Sequence, residues 1–433
     1  MRRPLSNTER AIWEFNRDHP MGASVALRIT GPLDARVLEQ ALALVQERHP
    51  MLRVRVGDAG PPAYTGAGVG PIPLRVEPRR DASQWLEALE AEVNQRWLMH
   101  EGPLARVRLL SGGDTHDLII GFQHMIADGM SAFVFGKHLL EFAAALVAGS
   151  PVKREQAPER PAIEELLPPR TRGAAGWMRA AGLAGEWGVH SLRGLFDMPM
   201  EVVAPPGQRR TRVLRHVLAP EETALLVQRS RERGTSVHGA LCAAMLQTLV
   251  AAFRDAPETR EARTIACISP VNLRRMLHPA IGDEIGLYMT PFGTAHRLSE
   301  VGDFWAVARA VRRGLREAME SGAVLGPLLV ERRLPPVPFL QKRMLQLTEQ
   351  LVPRPLTVTN VGVLEPVEAG PFRIEDIATV APMGSVVGCG VALAAFTYAG
   401  AARLHFTYSE PLVSRVRAES LLHDALRRLR AAL

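Results

Sequence analysis

The sequence predicts a mixed α/β protein in two halves, each built from alternating strands and helices. Three observations carry this expectation. Apolar residues recur with period 2 in short runs and at three- and four-residue spacing in longer ones. The alternation restarts after a stretch rich in Pro and charge at 150–172. At 433 residues the chain exceeds what one ordinary core organises, so two or three domains are expected.

The elements follow in order. Ser6-Asn7-Thr8-Glu9 has capping-box spacing and opens a short helix through Ile12, Trp13 and Phe15. Val25, Leu27 and Ile29 alternate as in a half-buried strand. Val37, Leu38, Ala41, Leu42 and Val45 share one face of a helix over 34–49, which Pro50 ends. Leu52, Val54 and Val56 alternate with Arg53 and Arg55 as a second strand. Beyond a Gly/Pro-rich stretch at 57–73, a helix is expected over 83–97 and a strand over 104–110. Leu118, Ile119, Ile120 and Phe122 make 117–123 a nearly continuous apolar run, the pattern of a strand covered on both faces. From Gly129 onward, Phe133, Val134, Leu139, Leu140, Phe142, Ala143 and Leu146 recur at helical spacing.

Residues 150–172 read as a linker. In 170–215, eight Arg accompany only Glu186, Asp197 and Glu201 as acids, with Trp177, Trp187, Leu195 and Phe196 interspersed. Such a stretch can touch lipid or a carrier, or pack as a helix on the second domain; Trp and Leu at helical spacing favour packing. Helices are then expected at 220–233, stopped by Gly234, and at 237–253. Strands follow at 264–270, 356–361, 390–396 and 402–408, and a last amphipathic helix at 415–433. The expected division is 1–172, a linking segment 173–210, and 211–433.

Composition narrows the class. Hydrophobic residues at 47% and charged residues at 22% are soluble-globular proportions. No stretch approaches the roughly 18–20 uninterrupted apolar residues of a transmembrane helix, and Met1-Arg2-Arg3-Pro4 does not lead into the apolar run of a secretory signal. Cys242, Cys267 and Cys389 are far apart along the chain, lack metal-ligand spacing and read as buried inert thiols. A cytoplasmic monomer is the expectation. The net charge of +7 admits three readings. Nucleic-acid binding is disfavoured, because only 4 Tyr accompany 52 Lys plus Arg and no basic run alternates with aromatics. An Arg- and Ala-rich composition accounts for the charge by itself and is favoured. An acidic partner, such as a carrier protein drawn in by complementary charge, is the third.

The segment Gln123-His124-Met125-Ile126-Ala127-Asp128-Gly129 falls at a strand-to-helix junction. A nucleophile that must lose a proton as it attacks needs a base to take it, and a histidine titrating near neutral pH suits that task. Asp128 would hold the loop in shape, and Gly129 would let the backbone approach a substrate closely. Taken alone, however, a His with an Asp four residues on is more often a structural pair than a catalytic one. A metal pair is a further reading, but no third ligand lies nearby.

The run His124-x-x-x-Asp128-Gly129 resembles the HHxxxDG signature of the condensation-domain and chloramphenicol-acetyltransferase-like superfamily. Other segments are similar to that family in the same order: Pro4-Leu5-Ser6 with Trp13, Gly31-Pro32-Leu33-Asp34, Arg48-His49-Pro50-Met51-Leu52-Arg53, Gly102-Pro103-Leu104, Val271-Asn272-Leu273-Arg274 and Thr359-Asn360-Val361-Gly362. The resemblance covers nearly the full length and is nearest to free-standing polyketide-associated acyltransferases of the phthiocerol dimycocerosyl transferase type. It implies two chloramphenicol-acetyltransferase-like sandwich domains in a V-shaped pseudo-dimer with a central channel. It also implies a thioester donor on CoA or an acyl carrier protein and an alcohol or amine acceptor, with no metal and no bound cofactor.

Carried onto matching positions, the resemblance makes His124 the general base and Asp128 a structural residue paired with an Arg from the second domain, for which Arg274 is the candidate. Gln123 stands where the family has its first His. A Gln can still hydrogen-bond there, to structure or to substrate, and the departure raises the alternative of a non-catalytic member that binds carrier-tethered intermediates. Asn360 is a candidate donor to the thioester or acceptor, or else a turn residue beside Gly362. Ser269 and Thr359 are further candidate donors to a developing oxyanion. His138 is expected to be a surface or packing residue, and Met289 and Met383 channel or core fillers. The plant group's C-terminal DFGWG element and any CoA-binding Gly-rich loop are missing from the sequence, so the donor stays open between CoA and a carrier.

Overall fold

The computed structural model describes residues 2–16, 20–57, 60–171, 194–331, 356–381 and 390–433, together with Met178 and Gly182. Two compact units result. The first comprises Met1–Leu167, Arg274–Tyr288 and Val363–Ser385; the second comprises Pro168–Leu273, Met289–Gly362 and Val386–Leu433. The contiguous division expected from the sequence is corrected here, because two pieces of the second half are built into the first unit.

Along the chain the strands are β1 (Arg2–Pro4), β2 (Gly22–Thr30), β3 (Arg55–Val56), β4 (Ala63–Thr65), β5 (Leu74–Pro78), β6 (Ala105–Ser111), β7 (Thr115–Gln123), β8 (Arg210–Val217), β9 (Thr264–Asn272), β10 (Met289–Arg297), β11 (Leu356–Leu364), β12 (Glu368–Ala369), β13 (Phe372–Val380), β14 (Val391–Tyr398) and β15 (Ala401–Glu410). The helices are α1 (Asn7–Phe15), α2 (Ala35–Arg48), α3 (Gln84–Val93), α4 (Gly129–Val147), α5 (Pro220–Glu232), α6 (Val237–Ala252), α7 (Phe304–Ser321), α8 (Gly326–Glu331) and α9 (Arg415–Ala432).

In the first unit a six-stranded sheet runs β12-β13-β2-β7-β6-β5, antiparallel except for the parallel pair β5–β6. Leu27 pairs with Leu118 and Ser24 with Gly121, so by strand alternation the two pairs project on opposite faces. Helix α4 lies on the Leu27 face, so close that a Cβ on Gly136 would stand 2.5 Å from Leu27 Cδ1. Helix α3 covers the Gly121 face, where the Glu92 side chain occupies the space a Cβ would fill. Both faces are therefore covered, and β2 is buried almost throughout instead of half-buried as its alternation suggests. β7 is buried from His116 to Gln123, in keeping with its apolar run.

Other departures have local causes. Pro50 starts a 3-10 turn over Pro50–Arg53, its fixed φ being pre-set for a helical start; Leu52 is thereby removed from the expected strand and only β3 remains. Residues 150–171 do more than link, since Ile163, Leu166 and Leu167 are buried. In the basic stretch, residues 172–177, 179–181 and 183–193, with Trp177 and Trp187, lie outside the described residues, as do Met383 and Cys389. Its distal end is not a helix but the start of β8, where Arg212 pairs with Glu410. Helix α4, at 19 residues, is long and apolar enough by composition to cross a membrane; its packing on β2 gives it a core role.

The second unit has its own six-stranded sheet, β10-β9-β11-β14-β15-β8. Its core joins Leu241, Met245 and Leu249 of α6, Val307 and Val311 of α7, Phe406 of β15 and Leu421 of α9. Cys242 and Cys267 are free buried thiols, distant in sequence but with sulfurs 3.7 Å apart.

Candidate active site

The site is built where β7 ends. Gln123 is its last residue, His124–Ile126 form one 3-10 turn, and Asp128 caps the N-terminus of α4. The turn is fixed on all sides. His124 N donates to Met21 O at 2.9 Å. Gln123, fully buried, accepts the Met125 N–H through Oε1 at 2.6 Å. Tyr64 donates its hydroxyl to Met125 O at 3.1 Å. Burial, with the Glu9 carboxylate nearby, pushes the Tyr64 phenol well above its ordinary pKa, so it remains a donor. The two peptides flanking Met125 are thus held by one acceptor and one donor, neither of them exposed.

His124 is half-buried, and its Nδ1 lies 2.9 Å from Ala127 O. A carbonyl can only accept, so Nδ1 carries the proton and Nε2 keeps its lone pair. A loop carbonyl, not the carboxylate four residues on, selects this tautomer.

Asp128 is committed elsewhere. Its Oδ1 accepts from Ser131 N and Ser131 Oγ, each at 2.8 Å, and from Arg274 Nη2 at 2.9 Å; its Oδ2 accepts from Tyr288 N at 3.0 Å. Arg274 also donates through Nη1 to Gly282 O and Glu284 O and stacks its guanidinium 4.8 Å from the Tyr288 ring centroid. The Ser131 hydroxyl accepts from Gly286 N and Arg274 Nη2, each at 3.0 Å. Gly286 has no space for a side chain, because the Tyr288 ring folds back over it.

Further bonds tie the same segment down. Arg160 grips Glu284 through Nε at 2.8 Å and Nη2 at 2.6 Å, and Lys137 reaches Asp283 at 2.9 Å. Arg274 does come from the second half of the sequence. Its segment, Arg274–Tyr288, nevertheless belongs to the first unit, which corrects the expectation of a clamp supplied by the second domain.

The remaining candidates are distributed differently. Gly129 opens α4, is exposed and has no left-handed φ, so the backbone does not demand glycine there. Asn360 lies in β11 of the second unit, where its Oδ1 accepts from Gly362 N at 2.9 Å and closes a local turn onto a residue at φ 97°. Ser269, also in the second unit, is 2.8 Å from His238 Nε2 and buried. Met289, half-buried, opens β10.

His138 is buried beside His49, with Nδ1 and Nε2 3.0 Å apart and ring centroids separated by 5.1 Å. Burial is the main cause pushing His49 down to about 3 and His138 to about 4. Sequence reasoning reached neither this pair nor Tyr64, Ser131 and Tyr288. Only Ser131, three residues after the helix cap, carries a local signal.

Comparison with known proteins fits this architecture. The condensation-domain family matches residues 15–159, and the family described as phthiocerol/phthiodiolone dimycocerosyl transferase C-terminus matches residues 207–386. The chain belongs to the condensation-domain and chloramphenicol-acetyltransferase-like superfamily of acyltransferases. Within it, the match to the second half is of the polyketide-associated type.

Polyketide synthase associated protein 5 from Mycobacterium tuberculosis shares the fold, with a TM-score of 0.70 and 17% identity over 99% of this chain and 97% of that one. The trichothecene 15-O-acetyltransferase TRI3 from Fusarium sporotrichioides does so with a TM-score of 0.75 and 13% identity over 100% and 95%. Trichosetin synthetase PKS-NRPS1 of Gibberella fujikuroi is 33% identical over 144 residues, which is 31% of this chain and 4% of that protein. The chain spans only a few per cent of the length of the curated relatives it matches.

Proposed function

We propose that the protein transfers an acyl group from a thioester, on CoA or an acyl carrier protein, to a hydroxyl acceptor, with His124 Nε2 as the general base. The observation that carries this reading is the His124 Nδ1–Ala127 O contact at 2.9 Å, which leaves Nε2 as the proton acceptor. The acceptor oxygen attacks the thioester carbonyl while Nε2 takes its proton. As the tetrahedral species collapses, the C–S bond breaks and the imidazolium returns that proton to the departing thiolate. No covalent enzyme intermediate is needed. Asp128 and Arg274 act as scaffold, since the Asp128 oxygens are occupied by other donors. A hydroxyl acceptor is favoured over an amine because an alcohol is a poor nucleophile until deprotonated, where a base contributes about 10²- to 10⁴-fold.

The test is a panel of acyl-CoAs and acyl-carrier proteins with alcohol and amine acceptors, the products identified by mass spectrometry. Ester formation that drops at least 100-fold in His124→Ala is expected. Undiminished turnover in that variant would remove His124 from the reaction, and amide products alone would establish N-acyl transfer instead.

A further inference from the structure

Gly22 opens β2 and pairs with Gln123, the last residue of β7. This pair lies two residues along from Ser24 and Gly121, so its side chains project on the face that α3 covers. The space beside each glycine on that face is filled by a neighbour. Glu92 takes it at Gly121, and at Gly22 a Cβ would stand 2.6 Å from Nε1 of Trp97. Gly22 has no left-handed φ, so the indole, and not the backbone, is what excludes a side chain there.

Trp97 is itself tightly held. Helix α3 stops at Val93 with Asn94 as its cap, and Trp97 follows in an irregular segment. Asn16, at the end of α1, donates Nδ2 to Trp97 O at 3.1 Å, and Val56 N donates to Met99 O at 2.8 Å. Arg106 stands opposite Gly121 on β6. Its guanidinium carbon lies 3.8 Å from the centroid of the Trp97 ring, and it pairs with the Glu92 carboxylate. It also donates to Arg96 O at 3.2 Å and Gln95 O at 3.3 Å. Trp97 is 6% exposed, and its indole N–H is buried with no acceptor among the described residues. A stranded N–H costs stability, so packing and not hydrogen bonding keeps the ring against the start of β2.

Two anchors of the site depend on that start. Met21, just before Gly22, accepts the His124 N–H, and Gln123, opposite Gly22, accepts the Met125 N–H. We infer that Trp97 is a positioning residue for His124, a rigid wedge that acts through Gly22. It fixes where β2 begins and closes the α3 face beside Gln123. The inference rests on the reading of His124 as the base; Trp97 lies behind the turn and sets only where the imidazole stands.

The test is a double-mutant cycle of Gly22→Ala, Trp97→Leu and the two combined, with Trp97→Phe as the milder form. Gly22→Ala drives a methyl into the indole. Trp97→Leu has no atom at the Nε1 position, so in the double variant the methyl enters vacated space. Each single change should lower kcat about tenfold with KM within twofold, because a displaced base impairs the reaction more than binding. The double variant should be no slower than Trp97→Leu, where independent lesions would multiply to about a hundredfold. Amide exchange over 122–126, measured well below each urea midpoint, should quicken in both single variants and return toward wild type in the double. Wild-type exchange there in both single variants overturns the inference, and so does a multiplicative loss of kcat. Exchange is read without turnover, so a wild type that transfers no acyl group removes the reaction while the wedge is still decided.

Discussion

Arg274 and Asp128 are 146 positions apart in the chain and 2.9 Å apart in the fold, each less than a tenth exposed. Their pairing joins the cap of α4 to a segment that leaves β9 and returns at β10. It thereby fixes the lower end of the turn whose upper end carries His124. Ser131 and Tyr288 complete the arrangement by donating to the same carboxylate, so a buried charge is met by a cation and three neutral donors.

Removing one side of this pair should therefore cost more than removing both. Asp128→Ala leaves the Arg274 guanidinium buried without its counter-charge, a loss of about 3–5 kcal/mol. Asp128→Asn should be milder in charge but must turn its NH2 toward the Tyr288 N–H or toward Arg274. In Asp128→Ala/Arg274→Met much of the loss should be recovered. Urea midpoints and hydrogen exchange over 274–288 are the measurements; unchanged exchange in that segment would rule out the clamp as its tether.

How far the sequence foretold this depends on the range of each interaction. The capping box at Ser6 and Glu9 and the continuous run of β7 are local, and the structure has both. Edge strands such as β5, with Arg75, Glu77 and Pro78, carry no strong alternation, and β13 is placed only by pairing with β2 across the chain. The same limit applies to the site. His124, Asp128 and Arg274 were legible through a motif, but Tyr64 reaches Met125 from 61 residues away and Tyr288 reaches Asp128 from 160, with no local pattern to announce either.

Tyr64 is a positioning residue whose contribution can be separated from folding. Tyr64→Phe keeps the ring under Arg3 but leaves the buried Met125 carbonyl without its donor, at about 1–3 kcal/mol. A looser His124 turn should lower kcat several-fold and leave KM nearly unchanged. Wild-type kcat in a stably folded Tyr64→Phe protein would refute the positioning role.

Gln123 holds the other side of Met125, and its amide nitrogen is buried with no hydrogen-bond partner among the described residues. An acceptor is what the position requires, so Gln123→His, with one ring nitrogen accepting from Met125 N, should retain folding and activity. Gln123→Leu strands that N–H and should lose about 1–3 kcal/mol together with most turnover. Comparing thermal midpoints and kcat of the two variants decides the matter: equal behaviour of His and Leu would mean that the acceptor is irrelevant.

The His49–His138 pair makes the first unit sensitive to acid. Burial is the first cause of both depressions. The His138 charge and then Arg48 add to it at His49, and Arg48 and Lys137 add to it at His138, while Asp283 opposes at both. Folded values of about 3 and about 4 lie below the ordinary value near 6.5 of an unfolded chain. Between pH 6.5 and 4 the unfolded state therefore binds more protons, and stability falls as pH drops. The contribution is complete above pH 6.5, declines through that window and levels off below the folded values. A tenfold difference in proton affinity between the two states is worth about 1.4 kcal/mol, so two buried rings give a loss on the order of 4 kcal/mol by about pH 5. Urea unfolding at pH 7, 6 and 5 should show a steeper decline for the wild type than for His49→Gln/His138→Gln, which has nothing to protonate there. Parallel declines would show that the pair does not set the acid sensitivity.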